Sequence, residues 1–174
     1  MKLTPAFFDR DCLEAAPELV GKWLVMRAPD GTDKRLRITE TESYRGEADT
    51  ACHAHAGKTK RSEVLYMAPG TLYVYLCYGV HWLLNFITER EGVPQGVLIR
   101  ACEGAEGPGR LTKALGITGE LNRTLLGEGP LSLEDDGCRP ELVCLPRVGI
   151  DYASEEDRAR LWRFADAAHV GKKR

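Results

Sequence analysis

The stretch Arg35-Leu36-Arg37-Ile38-Thr39-Glu40-Thr41-Glu42-Ser43-Tyr44 is predicted to form a long β-strand with two carboxylates near its centre. Residues 23–27, Trp-Leu-Val-Met-Arg, precede it, and their aromatic and branched side chains also favour a strand. Pro29-Asp30-Gly31-Thr32 lies between the two segments, and an Asp-Gly pair is typical of the tight turn of a hairpin. We therefore expect the two strands to pair antiparallel.

The acidic residues of this stretch are candidates for chemistry. Glu40 and Glu42 lie two residues apart, so on a strand they would share a face with Tyr44. The ordinary interpretation is that both carboxylates pair with nearby arginines. An ionised carboxylate beside aromatic rings, however, has its pKa raised by desolvation, and it can then take a proton from water near neutral pH. One of the two is thus a candidate general base.

Hairpins account for most of the remaining predicted strands. Further strands are predicted at 72–77, 82–88, 97–102, 130–133 and 142–148, and helices at 11–21, 110–115 and 154–168. Residues 45–67 are polar and lack periodicity, which predicts a long loop over the surface. Strands that cluster in hairpins favour an antiparallel sheet with helices at its margins. The predicted fold class is α+β: mainly antiparallel β-sheet flanked by helices, with a protruding β-hairpin.

Aromatic residues concentrate in the hairpin formed by residues 72–88. Tyr73 and Tyr75 would share one face of its first strand, while Tyr78 would project from the turn. Core packing is the ordinary explanation for Tyr73. A large ring at an exposed turn is badly placed for core burial but well placed to be pushed into a duplex as a wedge. Tyr78 is therefore a candidate nucleic-acid contact.

Length and charge limit the possible classes of protein. A chain of 174 residues with 43% apolar content is long enough for one buried core, so we expect a single domain over residues 1–174. A net charge of −2 argues against general adhesion to nucleic acid, so DNA binding would depend on local basic patches. Such patches lie at 34–37, 57–61 and 172–174, although each alone is more often a solvated face.

Neither membrane insertion nor a disulfide framework is indicated. No apolar run approaches the ~20 residues of a membrane span, and the first residues lack the apolar core of a signal peptide. The six cysteines include no Cys-x-x-Cys pair, so reduced thiols are expected. These features predict a soluble intracellular protein, cytoplasmic in a bacterium or nuclear in a eukaryote.

A metal site is the first alternative to consider around Cys52-His53-Ala54-His55. Together with Cys77 or Cys102, these residues offer thiol and imidazole ligands. Zinc sites of such irregular spacing are uncommon, so a stacking or hydrogen-bonding role is favoured for His53. We expect neither a metal nor another cofactor.

Several ordered motifs together resemble the alkyladenine (3-methyladenine) DNA glycosylase family. They are Phe7-Phe8-Asp9-Arg10, Leu19-Val20-Gly21-Lys22, Glu40-Thr41-Glu42-Ser43-Tyr44, His53, Pro69-Gly70-Thr71-Leu72-Tyr73-Val74-Tyr75 with Tyr78-Gly79, Asn85, Val97-Leu98-Ile99-Arg100-Ala101, Gly107-Pro108-Gly109 and Arg147-Val148-Gly149. The resemblance spans about residues 7–149. Motifs in a matching order are far more specific than any one of them.

The resemblance implies a role for two polar residues and for the wedge. Glu42 would be the general base that activates the attacking water, and Arg100 would help to orient that carboxylate or the water. Tyr78 would fill the gap that an extruded nucleotide leaves in the duplex. The fold implied is similar to the C-terminal domain of formyltransferases, with the hairpin inserted into DNA.

The resemblance also implies a pocket for the extruded base. Tyr44 would stack on one face of the base, and His53 and Tyr75 on the other. Asn85 would crowd the exocyclic amino group of a purine and help to exclude normal guanine.

A base-excision-repair enzyme is the function that this resemblance implies. Its substrate would be double-stranded DNA with damaged purines, alkylated, deaminated or etheno-modified, and its product an abasic site. A monomer would suit an enzyme that searches along DNA. Two other classes stay open from the residues alone: a non-catalytic nucleic-acid-binding module, which would have no use for Glu42 opposite Arg100, and a metal-dependent hydrolase built on Cys52, His53 and His55.

Overall fold

Antiparallel pairing joins all the β-strands of the computed structural model, which describes residues 1–171. The strands are β1 (Trp23–Arg27), β2 (Asp33–Tyr44), β3 (Leu72–Cys77), β4 (His81–Thr88), β5 (Gln95–Cys102), β6 (Leu131–Glu134), β7 (Leu142–Leu145) and β8 (Arg163–Asp166). Their order in the sheet is β3-β4-β5-β2-β1-β6, and β8 pairs with both β2 and β7.

The long strand β2 lies in the middle of this sheet. Its first part pairs with β1, and the segment from Ile38 to Tyr44 pairs with β5. Register shifts next to Glu40 mark a β-bulge, and β8 pairs with β2 from Glu40 to Glu42. Because a strand paired on both sides cannot move without breaking two ladders, the backbone of Glu42 is held firmly. The expected hairpin with β1 is confirmed.

Within residues 1–171, three α-helices pack at the margins: α1 (Cys12–Leu19), α2 (Pro108–Leu115) and α3 (Glu155–Ala159). Short 3-10 turns lie at Pro5–Phe8, His53–Ala56, Ser62–Tyr66 and Gly119–Leu121. The side chain of Asp11 caps α1 by accepting a hydrogen bond from the Leu13 N–H. On β2, the Thr41 hydroxyl donates to the Ala16 carbonyl at 2.8 Å and the Ser43 hydroxyl to the Cys12 carbonyl at 2.9 Å. One face of β2 is therefore covered by α1, which leaves Glu42 and Tyr44 on the opposite face.

The main hydrophobic core lies between the sheet and these helices. Phe8 stacks on Phe86 with ring centroids 5.0 Å apart, and both rings are fully buried. Leu111 and Leu115 of α2 and Leu19 of α1 join the same cluster. Burial of this apolar surface, rather than helix propensity, holds the short helices in place. The predicted fold class, α+β with a mainly antiparallel sheet, is confirmed.

The predicted helix at 154–168 is wrong over most of its length. Helix α3 ends at Ala159, and Arg163–Asp166 forms strand β8 between β2 and β7. The segment begins as a helix because the Ser154 hydroxyl accepts a hydrogen bond from the Asp157 N–H and so caps the first turn. Pairing with two distant strands then outweighs the helical spacing of the second half. The predicted strand at 142–148 is also shorter, and ends at Leu145.

Residues 45–67 are more than a surface loop. Ala51, Cys52, Ala54, Val64 and Leu65 are buried, most of them in a second cluster that also includes Tyr73 and Ile87. The prediction of a purely superficial loop is wrong because these apolar residues form two short groups, at 51–54 and 64–65, that are too short to show a helical or strand period. The loop packs instead on one face of β3 and β4, where it forms one wall of a cavity.

Within residues 1–171, no helix is long and apolar enough to cross a bilayer. The basic tail at 172–174, one of the three predicted basic patches, lies outside the described residues.

Candidate active site

A cavity of about 790 Å³ opens beside the centre of the sheet. Six predicted site residues line it, each from a different part of the fold: Tyr44 from β2, His53 from the loop, Tyr75 from β3, Tyr78 from the turn after β3, Asn85 from β4 and Arg100 from β5. This volume lies within the range of small-molecule sites and can hold a nucleobase. The fold thus brings the predicted pocket residues to one place.

Glu42 is fully buried and does not itself line the cavity, but it contacts three residues that do: Tyr44, Arg100 and Val148. Its Oε1 accepts a 2.9 Å hydrogen bond from the Val148 N–H, and its Oε2 accepts a 2.7 Å hydrogen bond from the Tyr44 hydroxyl. Nε of Arg100 lies 3.4 Å from Oε1. Two hydrogen-bond donors and one guanidinium charge therefore face a single carboxylate, and each of them favours its ionised form.

Glu40 belongs to the same charge cluster. Its Oε2 lies 3.7 Å from Nε of Arg100 and 3.4 Å from Nη1 of Arg163. Two carboxylates thus face two guanidinium groups, so the formal charges of this cluster cancel. Nε of Arg100 is buried and has no hydrogen-bond partner within residues 1–171, so its N–H is available to a group that enters the site.

Burial dominates the electrostatics of the candidate base. Desolvation raises the pKa of Glu42 above its ordinary value of 4.5, while the Arg100 charge, the Val148 N–H and the Tyr44 hydroxyl oppose that rise. Burial also raises the pKa of Tyr44, and the neighbouring carboxylate adds to the effect, so the phenol stays protonated and can donate to Glu42. A carboxylate whose pKa is raised in this way is a stronger base than one in water.

His53, Tyr73 and Tyr75 form an aromatic wall of the cavity. His53 and Tyr75 lie edge to face with centroids 4.8 Å apart, and Nδ1 of His53 lies 2.8 Å from the Tyr73 hydroxyl. Burial, aided by the nearby Arg61 charge, lowers the pKa of His53 to about 4. The imidazole is therefore neutral at physiological pH, and suits stacking and hydrogen bonding better than charge pairing.

Asn85 is held on the floor of the cavity by its own strand pair. Its Nδ2 donates a 3.2 Å hydrogen bond to the carbonyl of Tyr73, its register partner on β3, and its side chain is buried. This bond fixes the orientation of the amide at the point where a ligand would meet it.

Tyr78 lies at the tip of the hairpin between β3 and β4, as predicted. Its side chain is 90% exposed, and Val80 beside it is 69% exposed. Its backbone adopts a φ of 51°, in the left-handed region that bulky residues rarely occupy. The rim of the cavity thus presents an aromatic side chain that contributes nothing to the core.

The comparisons with known proteins decide the family. The family model described as methylpurine-DNA glycosylase (MPG) matches residues 6–106 and 103–170. A protein of Methanocella arvoryzae named "Putative 3-methyladenine DNA glycosylase" is 44% identical, with 92% of this chain and 90% of that protein covered. The chain belongs to the methylpurine-DNA glycosylase family. The "DNA-3-methyladenine glycosylase" of Arabidopsis thaliana is 43% identical over 96% of this chain and 72% of that protein.

Membership of the methylpurine-DNA glycosylase family confirms the resemblance. The protein is a monofunctional DNA glycosylase, an enzyme that hydrolyses N-glycosidic bonds, and DNA is its substrate. The catalytic roles of Glu42 and Arg100 and the binding roles of the remaining predicted residues are proposals that depend on the geometry described above.

Arg147 lies beside the site, in contact with Tyr44, and no role was predicted for it from the sequence of this glycosylase. Arg147 is buried, and its guanidinium donates to Asp49 at 2.7 and 2.9 Å and to the Ser43 carbonyl at 2.9 Å. Its guanidinium carbon also lies 4.9 Å from the ring centroid of Tyr44 and 5.0 Å from that of Trp162. Nothing in the sequence pairs residues 98 apart. The only sequence feature that could have drawn attention to Arg147 was the motif Arg147-Val148-Gly149, which is part of the family resemblance.

Cys52, His53 and His55, the ligands of the alternative metal site, do not point toward a common centre. Nδ1 of His55 donates to the Glu47 carbonyl at 2.8 Å, while His53 points toward Tyr73. Among residues 1–171, no three His, Cys, Asp or Glu side chains lie close enough to share a metal ion. The metal-dependent hydrolase based on Cys52, His53 and His55 therefore has no supporting ligand set.

Proposed function

We propose that the enzyme flips a damaged purine nucleotide out of duplex DNA and hydrolyses its N-glycosidic bond with a water activated by Glu42. The observation that carries this proposal is the buried Glu42 carboxylate, which accepts a hydrogen bond from Tyr44 and lies 3.4 Å from Nε of Arg100. Tyr44 and Arg100 both line the cavity, together with His53 and Tyr75. A carboxylate that can take a proton from water thus lies close to aromatic rings on which a purine can stack.

Extrusion of the nucleotide is the first step of the proposed reaction. A base inside a duplex hides the bond to be cut, and rotating it out costs a few kcal/mol of lost stacking and pairing. Tyr78, 90% exposed at the hairpin tip, supports a wedge that fills the space left behind. Stacking on aromatic rings offsets part of the cost, on the order of 1–3 kcal/mol per base.

Bond cleavage is the second step. The bond between the base nitrogen and C1′ breaks, its electron pair leaves with the base, and the sugar acquires oxocarbenium character. The ionised Glu42 carboxylate would stabilise that positive charge and accept a proton from the water that attacks C1′. The free N–H of Arg100 would hold the water or the carboxylate in place. The product would be an abasic site in an intact strand.

Recognition of the damaged base would depend on the cavity. Asn85 would crowd the exocyclic amino group of guanine, which excludes the normal base by contact. Alkylated purines also leave more readily, since a cationic base departs as a neutral molecule, so reactivity adds to the selection. Deaminated and etheno purines are the neutral candidates.

The test is base release from duplexes that each carry one lesion at a defined position. Purified protein would be incubated with and without a chelator, and abasic sites scored by alkaline cleavage. We expect chelator-resistant release from at least one duplex, and a loss of several orders of magnitude in the single-turnover rate constant for Glu42→Gln, with binding retained.

A charge-matched control separates this role from a general effect of charge. Glu63 forms an exposed ion pair with Arg123, so Glu63→Gln removes the same charge outside the cavity and should release base at the normal rate. Tight binding without release from any lesion would instead support the nucleic-acid-binding module. Unchanged rates in Glu42→Gln would refute the assignment of the base.

A further inference from the structure

Arg61 is a charged residue of the cavity that the proposed reaction does not use. It comes from the loop of residues 45–67, lines the cavity and has an exposed side chain. Its guanidinium carbon lies 4.9 Å from the centroid of the Tyr75 ring. A cation therefore already faces the ring on which the base would stack.

The charge of Arg61 is not compensated by an ion pair. None of the ion pairs formed among residues 1–171 includes Arg61. The deeper charges cancel, since Glu40 and Glu42 face Arg100 and Arg163. Two further cavity residues, Glu106 and Arg110, have opposite signs. The cavity thus has an excess of one positive charge, and Arg61 places it beside the stacking surface.

The neighbours of Arg61 do not neutralise it. His53 is uncharged at neutral pH, because burial and the Arg61 charge lower its pKa to about 4. Arg61 also interacts with the Tyr73 hydroxyl, where its charge opposes the rise in pKa that burial causes. The aromatic wall therefore presents neutral rings together with one guanidinium.

We propose that Arg61 makes the pocket favour neutral purine lesions over cationic ones. This inference rests on the proposed function of the same site. A cationic base would meet a like charge and would compete with Arg61 for the face of Tyr75, so it would lose the attraction that an aromatic ring otherwise offers a cation. A neutral base also displaces Arg61 from this ring, but it meets no like charge and has no cation–π attraction of its own to lose.

The same charge assists departure of a neutral base. When the bond to C1′ breaks, the electron pair moves onto the base: a cationic lesion leaves neutral, whereas a neutral lesion leaves as an anion. The positive charge of Arg61 stabilises that anion until it takes a proton from solvent water. C1′ of the sugar gains the hydroxyl of the attacking water, and Glu42 accepts the remaining proton of that water and returns it to solvent, which balances the proton taken up by the base anion. Arg61 is thus a specificity-determining residue for the leaving base.

The experiment compares two lesions in one duplex context, cationic 7-methylguanine and neutral hypoxanthine. Single-turnover rate constants would be measured for wild type, Arg61→Gln and Arg61→Lys. We expect Arg61→Gln to raise the ratio of 7-methylguanine to hypoxanthine release by about two- to fivefold, since an exposed cation–π contact has that magnitude. Arg61→Lys keeps the charge and should keep the ratio near that of wild type.

Lys60→Gln is the matched control. The substitution removes one positive charge from the same loop. The hydrogen bond that Lys60 forms with Arg123 uses the backbone carbonyl of Lys60 as acceptor, so the substitution leaves it in place. Weaker attraction to DNA should slow the release of both bases equally and leave the ratio of 7-methylguanine to hypoxanthine release unchanged. An Arg61→Gln ratio equal to that of wild type or Lys60→Gln would overturn the proposal. Failure of the wild type to release either base would refute the proposed function instead.

Discussion

The backbone N–H of Val148 donates a 2.9 Å hydrogen bond to Oε1 of Glu42, although 106 residues separate the two in the chain. The preceding residue, Arg147, anchors this segment through its buried ion pair with Asp49 and its bond to the Ser43 carbonyl. Removing that anchor would free the amide that holds the candidate base. The orientation of Glu42 therefore depends on a salt bridge outside the cavity.

Asp49→Asn should destabilise the protein strongly. Nη1 of Arg147 lies 2.7 Å from Asp49, and both side chains are almost completely buried. Loss of the carboxylate leaves a buried guanidinium without its counter-charge, at a cost of about 3–5 kcal/mol in the free energy of unfolding. Urea denaturation at pH 7 measures this loss. The exposed Arg27–Asp33 pair provides the control, since Asp33→Asn should change stability by less than about 1 kcal/mol.

Tyr44→Phe should shift the pH dependence of base release. Glu42 acts as a base only when ionised, so the rate falls as pH falls through its pKa, which burial raises above 4.5. The Tyr44 hydroxyl stabilises the ionised form through its 2.7 Å hydrogen bond. Without it the pKa rises further, and the midpoint of the acid limb moves to higher pH. Single-turnover rates from pH 4 to 9 test this; a midpoint that moves down would contradict the assignment.

Tyr78→Ala should separate stability from activity. The side chain is 90% exposed and contributes no core contacts, so the melting temperature should stay within about 1–2 °C of wild type. Release from duplex DNA should fall about tenfold or more, because the vacated stack is no longer filled. The exposed Val80 at the same turn offers Val80→Ala as control. Equal effects of the two substitutions would argue against a specific wedge.

His53 should make the protein less stable in acid. Its pKa is lowered to about 4 in the folded state from an ordinary value of 6.5, so between these pH values the unfolded chain binds more protons. Stability contributed by the neutral imidazole is thus lost as pH falls from about 6.5 toward 4. Urea denaturation at pH 7 and pH 5 should show a smaller difference for His53→Asn than for wild type. An equal difference would show that other groups cause the acid sensitivity.

Local signals predicted the hairpins well. The Asp30-Gly31 turn joins β1 to β2, and the aromatic run from Leu72 forms β3 with Tyr78 at its tip, as expected. Turn chemistry and β-branched or aromatic content act over a few residues, so a single sequence contains them in full. Strand β8 escaped prediction because its state depends on β2 and β7, more than 17 residues away in the chain.

Residue types and the alternation of side chains along a strand were sufficient to place Glu40 and Glu42 on one face with Tyr44, because the period of a β-strand decides which side chains share a face. The turn position singled out Tyr78, and the family resemblance, rather than any local pattern, selected Glu42 over Glu40. The burial of Glu42, its bond from Val148 and the buried Arg147–Asp49 pair were decided only when distant segments packed together. The charge of a carboxylate depends on the water it loses and the donors it meets, and both come from tertiary contacts that no local pattern encodes.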